Sequence, residues 1–183
     1  AFDEQSVTAQ DLQFFPDYLV CLEPGAAAAR GPLADALSSG VPLKVVVHAD
    51  DLLEESMLGQ GQFAFGLRAT QLASAAMSFD DVFVLQSAAS NLLQMRERVR
   101  RGLRFAGPAL FSIYAAPDGG AVPGYLQAAA AMQSRAFPAF TYDATAGGNW
   151  AKRFSLENNR KPAAAWAVEP FQYADAAQQR VRD

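Results

Sequence analysis

Short runs rich in β-branched and aromatic residues recur along the first 143 residues, each separated from the next by a longer stretch. One of them, Leu43 to Ala49, is nearly continuous in its hydrophobicity, with three successive valines at its centre. Such continuity is typical of strands that helices cover on both faces, as in parallel sheets. We therefore predict strands at the following runs: Tyr18 to Glu23, Leu43 to Ala49, Val82 to Gln86, Ala109 to Ala115 and Ala139 to Tyr142.

The longer stretches between these runs have helical spacing of apolar residues and are long enough to cross back over a sheet. We predict crossover helices at Ala26 to Leu37, Leu67 to Met77, Ser90 to Leu103 and Val122 to Met132. Ser90 can cap the third helix, and Pro123 suits the first turn of the fourth. The pattern predicts an α/β fold with an open, doubly wound, mainly parallel sheet of about five or six strands and helices on both faces.

The length of 183 residues fits a single unit. Residues 1–143 carry the regular alternation and are predicted to form the α/β domain. Residues 144–183 contain Gly147-Gly148, Asn158-Asn159 and Pro162, which are typical of loops. We predict that they form an irregular extension packed on the same domain, with a short helix near Tyr173 to Val181.

The charge balance limits the class of partner. The net charge of -4 argues against nucleic acid, because phosphate binding requires Lys and Arg to be concentrated on one face. Arginines do cluster in one amphipathic segment, where the simplest interpretation is a solvated helix face and the alternative is docking of an acidic partner such as ferredoxin. These arginines are Arg96, Arg98, Arg100, Arg101 and Arg104.

Cys21 is the only cysteine and His48 the only histidine. This excludes within the segment an internal disulfide, a structural zinc site with four Cys and His ligands, and a cysteine-held iron-sulfur cluster. Cys21 is predicted to be a buried structural residue of the first strand. Since no apolar run approaches the length of a membrane span, we expect a soluble, cytoplasmic protein without a membrane partner. The sequence opens without Met or a signal-peptide pattern, so we expect a part of a longer chain.

Ligands of a doubly wound sheet bind beyond the carboxyl ends of its strands, which directs attention to the residues that follow each run. His48 could act as a general base, with Asp50 and Asp51 orienting it or holding a divalent cation. The alternative is a loop with two solvated acids, one of which caps a turn. Gly59 to Ala64 fits a loose dinucleotide pattern, but it begins ten residues after the strand ends, so a nicotinamide-type site is not expected.

Several phrases along the chain are similar to a known family. Gly107 to Ala115 and Ser134 to Asp143 resemble the closing strands of the thiamine-diphosphate-binding domain of 2-oxoacid:ferredoxin oxidoreductases, notably the pyruvate enzymes. Arg153 to Asn159 continues the likeness, and Ala34 to His48 resembles the family's helix, Ser-Gly turn and central strand. The likeness extends from about Leu19 to Phe171.

The resemblance implies a thiamine-diphosphate-binding fold and a cofactor held through Mg²⁺ by loops that follow successive strands. The matching residues of this chain are Gly25, Gly59 and Gln60 for the cofactor, with Asp50 and Asp51 as the candidate metal ligands. The resemblance also implies a part in oxidative decarboxylation within a larger, oligomeric enzyme, whose other domains or subunits carry the iron-sulfur clusters. It assigns no catalytic side chain to this segment.

A non-enzymatic alternative stays open at this point. The strand and helix phrases match the family more closely than the two metal-binding loops do, since Glu23, Asp50 and Asp51 stand slightly out of place. Mg²⁺ requires near-ideal octahedral oxygen ligands, so a shift of one position changes where a carboxylate points. The second hypothesis is therefore a degenerate domain that keeps the fold for subunit assembly.

Overall fold

A computed structural model of the chain describes residues 8, 10–14, 16, 18–22, 30–49, 53–55, 63–65, 67–116, 122–159, 172–174 and 177–182. The strands are β1 Tyr18–Leu22, β2 Leu43–Ala49, β3 Leu53–Glu55, β4 Phe63–Phe65, β5 Phe83–Ala88, β6 Ala109–Tyr114, β7 Phe140–Asp143, β8 Phe154–Ser155, β9 Gln172–Ala174 and β10 Arg180–Arg182. The helices are α1 Arg30–Ser38, α2 Leu67–Ala76, α3 Arg96–Leu103, α4 Gly124–Gln133 and α5 Trp150–Arg153.

The main sheet has six strands in the order β1-β2-β6-β5-β7-β8. The strands β1, β2, β6 and β5 run parallel, while β7 pairs antiparallel with β5 and β8 antiparallel with β7. Each apolar run that was predicted as a strand contributes one strand of this sheet. The predicted α/β class with a mostly parallel sheet is therefore confirmed.

Helices cover both faces of the sheet. In α3, Gly102 lies against one face, where a Cβ atom at this position would come within 2.4 Å of the Phe83 ring and 2.8 Å of the Phe111 ring. On α4, Ala128 and Ala131 belong to a buried cluster with Ala88 and Tyr114. Because alternate residues of a strand point to opposite faces, Phe83 and Ala88 of β5 mark opposite sides of the sheet. A glycine is required at position 102, since a larger residue would push α3 off the strands.

The start of the third predicted helix was wrong. We predicted a helix from Ser90 with that residue as its cap, but α3 begins at Arg96 and its N-cap is Met95, which makes no side-chain capping bond. Residues 89–91 instead form a 3₁₀ turn. The Asn91 carbonyl accepts hydrogen bonds from the Gln94 and Met95 amides, and Asn91 itself is buried. Burial of this tight turn against the neighbouring structure therefore overrides the capping preference of Ser90.

The short helix predicted near Tyr173 to Val181 was also wrong. The chain forms the antiparallel pair β9 and β10 there, with Ala174 opposite Arg180. Gln178 has a φ of 60°, a left-handed conformation that turns the chain and is incompatible with a continuous helix. Further regular structure occurs within 144–183, since α5 and β8 also belong to this range.

The β8 strand extends the sheet that the earlier residues build. Its register places Phe154 opposite Tyr142, and the Phe154 ring lies 5.4 Å from the Phe140 ring. The chain reaches β8 through α5, whose N-cap Asn149 accepts a hydrogen bond from the Lys152 amide at 3.1 Å. One core therefore includes residues from both sides of position 143.

At the other edge of the sheet, β1 is exposed, and the prediction of a buried Cys21 was wrong. The side chains of Tyr18 and Leu19 are 53% and 56% exposed, although they belong to alternate positions of the strand. Both faces of β1 are therefore open to solvent. Within the part of the chain that the structure describes, no helix has the length and apolar character needed to cross a membrane.

Candidate functional site

The carboxyl ends of the parallel strands lie side by side and form one end of the sheet, here called the carboxyl edge. Ala49 of β2 and Ala88 of β5 are both in register with Tyr114 of the strand between them, β6. The Ala115 amide donates a hydrogen bond to the Ala49 carbonyl at 2.9 Å, which extends the pairing past the strand ends. This is the edge where ligands of open α/β sheets bind.

The five predicted cofactor and metal residues, Gly25, Asp50, Asp51, Gly59 and Gln60, lie outside the residues that the structure describes. The structure does fix where the chain enters those segments. Leu22 and Val47 are opposite each other in the parallel pair of β1 and β2. The segments that begin at Glu23 and at Asp50 therefore leave the sheet from neighbouring strands and at the same edge.

His48 is held at this edge. Its Nε2 lies 3.2 Å from the Ala115 carbonyl oxygen, and the side chain is partly buried. Because a carbonyl oxygen can only accept a hydrogen bond, a hydrogen bond at this contact requires the tautomer with its proton on Nε2.

The arginine-rich segment is largely paired within the chain. Arg101 contacts Asp143 at 2.8 Å, Arg98 contacts Glu157 at 2.8 Å, and Glu97 contacts both Arg96 and Arg100. These side chains are mostly exposed, as the interpretation of a solvated helix face predicts. The docking of ferredoxin on this face stays a prediction.

The pair of Arg101 and Asp143 is the most buried of these contacts. Burial raises the pKa of the Asp143 carboxyl group, but hydrogen bonds from Arg101 and Thr145 outweigh it and leave the pKa below its ordinary value. The same hydrogen bond raises the pKa of Arg101. The pair therefore connects α3 to the end of β7 as a fully charged contact at neutral pH.

A second candidate site, here called the polar cleft, opens beyond the carboxyl end of β5. Its volume is about 520 Å³, within the range of small-molecule sites. It lies between the 3₁₀ turn after β5, helix α4 and the turn that follows β8. The cleft is lined by Ser90, Asn91, Gln94, Tyr125, Ala129, Met132, Gln133, Glu157, Asn158 and Asn159.

Unsatisfied polar atoms are concentrated in the lining of the polar cleft. The Ser90 hydroxyl, the Asn91 Oδ1 and the Asn158 Nδ2 are buried and have no hydrogen-bond partner in the described part of the protein. A buried polar atom without a partner costs about 1–3 kcal/mol, so native proteins satisfy nearly all such groups. Three of them around one cavity indicate a site for water or a polar ligand.

Asn159, next to Asn158, is satisfied in full. Its Oδ1 accepts a hydrogen bond from the Ala139 amide at 2.8 Å, while its Nδ2 donates to the carbonyls of Ala139 and Leu156. These bonds connect the turn after β8 to the residue that precedes β7. Asn159 is therefore structural, whereas the buried Asn158 Nδ2 makes no hydrogen bond within the described residues.

Sequence reasoning did not find the polar cleft, because none of its lining residues was predicted to contact a ligand. The rule for carboxyl ends of strands directed attention to the residues that follow each run, and Ser90 and Asn91 could have been included by the same rule. Asn158 gave no such signal, because β8 brings it back to the sheet from a distant part of the sequence. The chain returns from β7 through α5 to the antiparallel strand β8, and this return places Asn158 near Asn91.

None of the family models matches this chain, and no curated protein matches its sequence. Among the residues described by the structure, no three His, Cys, Asp or Glu side chains cluster in the manner of metal ligands.

Proposed function

We propose that the chain is a divergent thiamine-diphosphate-fold domain of a pyruvate-type 2-oxoacid:ferredoxin oxidoreductase, and that it contributes to oxidative decarboxylation within a larger enzyme. One observation supports this function above the others: β1 and β2 are parallel neighbours whose carboxyl ends meet at one edge. The resemblance assigns the cofactor to the segments that follow these two strands. Strands in a sheet are about 4.8 Å apart, so both segments start close enough to share one ligand.

The residue types in these segments match the groups that the diphosphate and Mg²⁺ require. Gly25, Gly59 and Gln60 would bind the diphosphate through backbone and amide groups, and Asp50 and Asp51 would provide carboxylate oxygens for Mg²⁺. When bound, thiamine diphosphate supplies the carbanion chemistry of decarboxylation. The protein would bind and orient it, and His48 lies at the same end of the sheet. Electron transfer to ferredoxin would require clusters on other domains or subunits.

The test is calorimetric titration of the protein with thiamine diphosphate in the presence of Mg²⁺, with matched charge variants. We expect micromolar binding, and a loss of about tenfold or more for Asp50→Asn or Asp51→Asn, because each removes a candidate metal ligand. Asp80→Asn is the control, since Asp80 is exposed at the amino end of β5, away from the carboxyl edge. Equal affinity for all three variants would contradict the proposed metal ligands.

A domain that serves subunit assembly without catalysis is the second candidate, and it is favoured by the exposed strand β1, which pairs with β2 alone among the described strands. Leu19 and Val20 of this strand are exposed apolar residues, and the edge of a sheet can pair with another chain. We expect Leu19→Lys to weaken association of the purified protein in analytical ultracentrifugation. The control is Leu93→Lys, because Leu93 is exposed away from β1. If both variants associate like the wild type, β1 is not an assembly edge.

A further inference from the structure

The polar cleft differs chemically from the proposed cofactor site. Of the ten residues that line it, all of them described, none is basic, and Glu157 at its rim is the only charged one. The nearby guanidinium of Arg98 is engaged by Glu157 at 2.8 Å. Phosphates and carboxylates are bound most strongly by cationic side chains, through charge-assisted hydrogen bonds. The cleft is therefore suited to a neutral ligand.

The unsatisfied atoms of the cleft define which groups such a ligand must present. The Asn91 Oδ1 can only accept a hydrogen bond, and the Asn158 Nδ2 can only donate one. A ligand that satisfies both atoms must therefore carry a donor and an acceptor. A carboxamide has this pair, with its N–H for Asn91 and its carbonyl for Asn158. The Ser90 hydroxyl can serve either group.

The remaining lining residues indicate what carries the carboxamide. Tyr125 presents an exposed aromatic ring, while Met132 and Ala129 supply apolar surface on the same helix. Aromatic rings pack favourably on tyrosine, and the thioether of methionine makes favourable contacts with ring edges. A flat ring therefore fits this part of the lining.

We propose that the polar cleft is a binding site for a small neutral carboxamide carried on a planar ring. This site goes beyond the proposed function, because it lies past β5 and shares no residue with the segments assigned to thiamine diphosphate. Its failure and the failure of cofactor binding are therefore separate results.

The test is a ¹H–¹⁵N NMR titration of the full chain with benzamide, compared with benzoate and glucose. We expect saturable shifts of the Asn91 and Asn158 side-chain amides with benzamide. Benzoate has the same shape but carries an anion toward the Asn91 oxygen and Glu157, and should bind at least about tenfold more weakly. Benzoate binding as tightly as benzamide, or glucose shifting the same amides as strongly, would overturn the proposal.

Three variants locate the binding. Asn158→Asp keeps the shape of the side chain and replaces the donor by an acceptor, so benzamide affinity should fall by about tenfold. Gln133→Ala changes the lining, while the control Gln127→Ala changes an amide of the same helix that donates to the Val122 carbonyl outside the cleft. We expect Gln133→Ala to bind benzamide more weakly and Gln127→Ala to bind it like the wild type. Unchanged binding in both Asn158→Asp and Gln133→Ala would contradict the site.

Discussion

The two lateral edges of the main sheet, formed by β1 on one side and by β7 and β8 on the other, are built in opposite ways. At the β7–β8 edge, aromatic rings, an ion pair and the Asn159 hydrogen bonds join the last strands to the core. At the β1 edge, Tyr18 and Leu19 are more than half exposed. The difference indicates that stability is concentrated on the β7–β8 side, while the β1 side exposes apolar side chains to solvent. Substitutions on each side can test this contrast.

The largest effect is expected for Tyr142→Ala. Tyr142 is 1% exposed and its ring lies 5.1 Å from the Trp150 ring, so the substitution leaves a large cavity. We expect a loss of about 3–5 kcal/mol in the free energy of unfolding, measured by urea denaturation. Leu19→Ala on β1 should cost about 0.5 kcal/mol or less. If the two variants are equally destabilised, the contrast between the edges is wrong.

A smaller effect separates the adjacent residues Asn158 and Asn159. Asn159→Ala removes its hydrogen bonds and leaves the buried backbone groups of Ala139 unpaired, which should cost about 2–4 kcal/mol. Asn158→Ala removes an atom that already lacks a partner, so the free energy of unfolding should change by about 0.5 kcal/mol or less. Thermal denaturation of both variants measures the difference. A large loss for Asn158→Ala would show that its amide is satisfied in the native protein.

The smallest effect concerns the Arg101 and Asp143 pair and depends on pH. Asp143→Asn keeps the oxygen that accepts from Thr145 and removes the charge that faces Arg101, so we expect a cost of about 1 kcal/mol at pH 7. The native pKa of Asp143 lies below that of the unfolded chain, about 3.9. The stabilisation is therefore complete above that value and is lost as the pH falls through the native pKa.

Denaturation of the wild type and Asp143→Asn between neutral pH and pH 2 measures this dependence. The difference in stability should shrink as the solution becomes more acidic than about pH 4. Arg96→Gln is a control at an exposed arginine whose contact is with its neighbour Glu97. A difference between wild type and Asp143→Asn that stays constant down to pH 2 would show that the charge of Asp143 contributes nothing.

Five of the six strands of the main sheet could be predicted from the sequence because they are largely apolar runs, a local pattern, whereas β8 was not predicted. The exposure of β1 could not, because burial of an edge strand depends on which elements pack beside it. The run from Leu43 to Ala49 predicted a strand, but no local pattern indicates that Lys44 is buried with its ammonium donating to the Phe105 and Gly107 carbonyls. Those acceptors are more than 60 residues away.

The candidate sites show the same limit. The rule for strand ends directed attention to the carboxyl ends of the parallel strands, where His48 lies. That rule needs only the order of strands and helices. The polar cleft depends on Asn91 and Asn158, which the antiparallel return through β7 and β8 brings together. The failed cap at Ser90 has the same origin, since tertiary burial of the turn overrides a local preference.

The central claim is that the segments following β1 and β2 bind thiamine diphosphate through Mg²⁺. The most direct measurement is a titration of the protein with thiamine diphosphate, first with Mg²⁺ and then after removal of the metal by EDTA. The account predicts saturable micromolar binding that disappears with the metal. Absence of binding by the assembled protein in the presence of Mg²⁺ would contradict it.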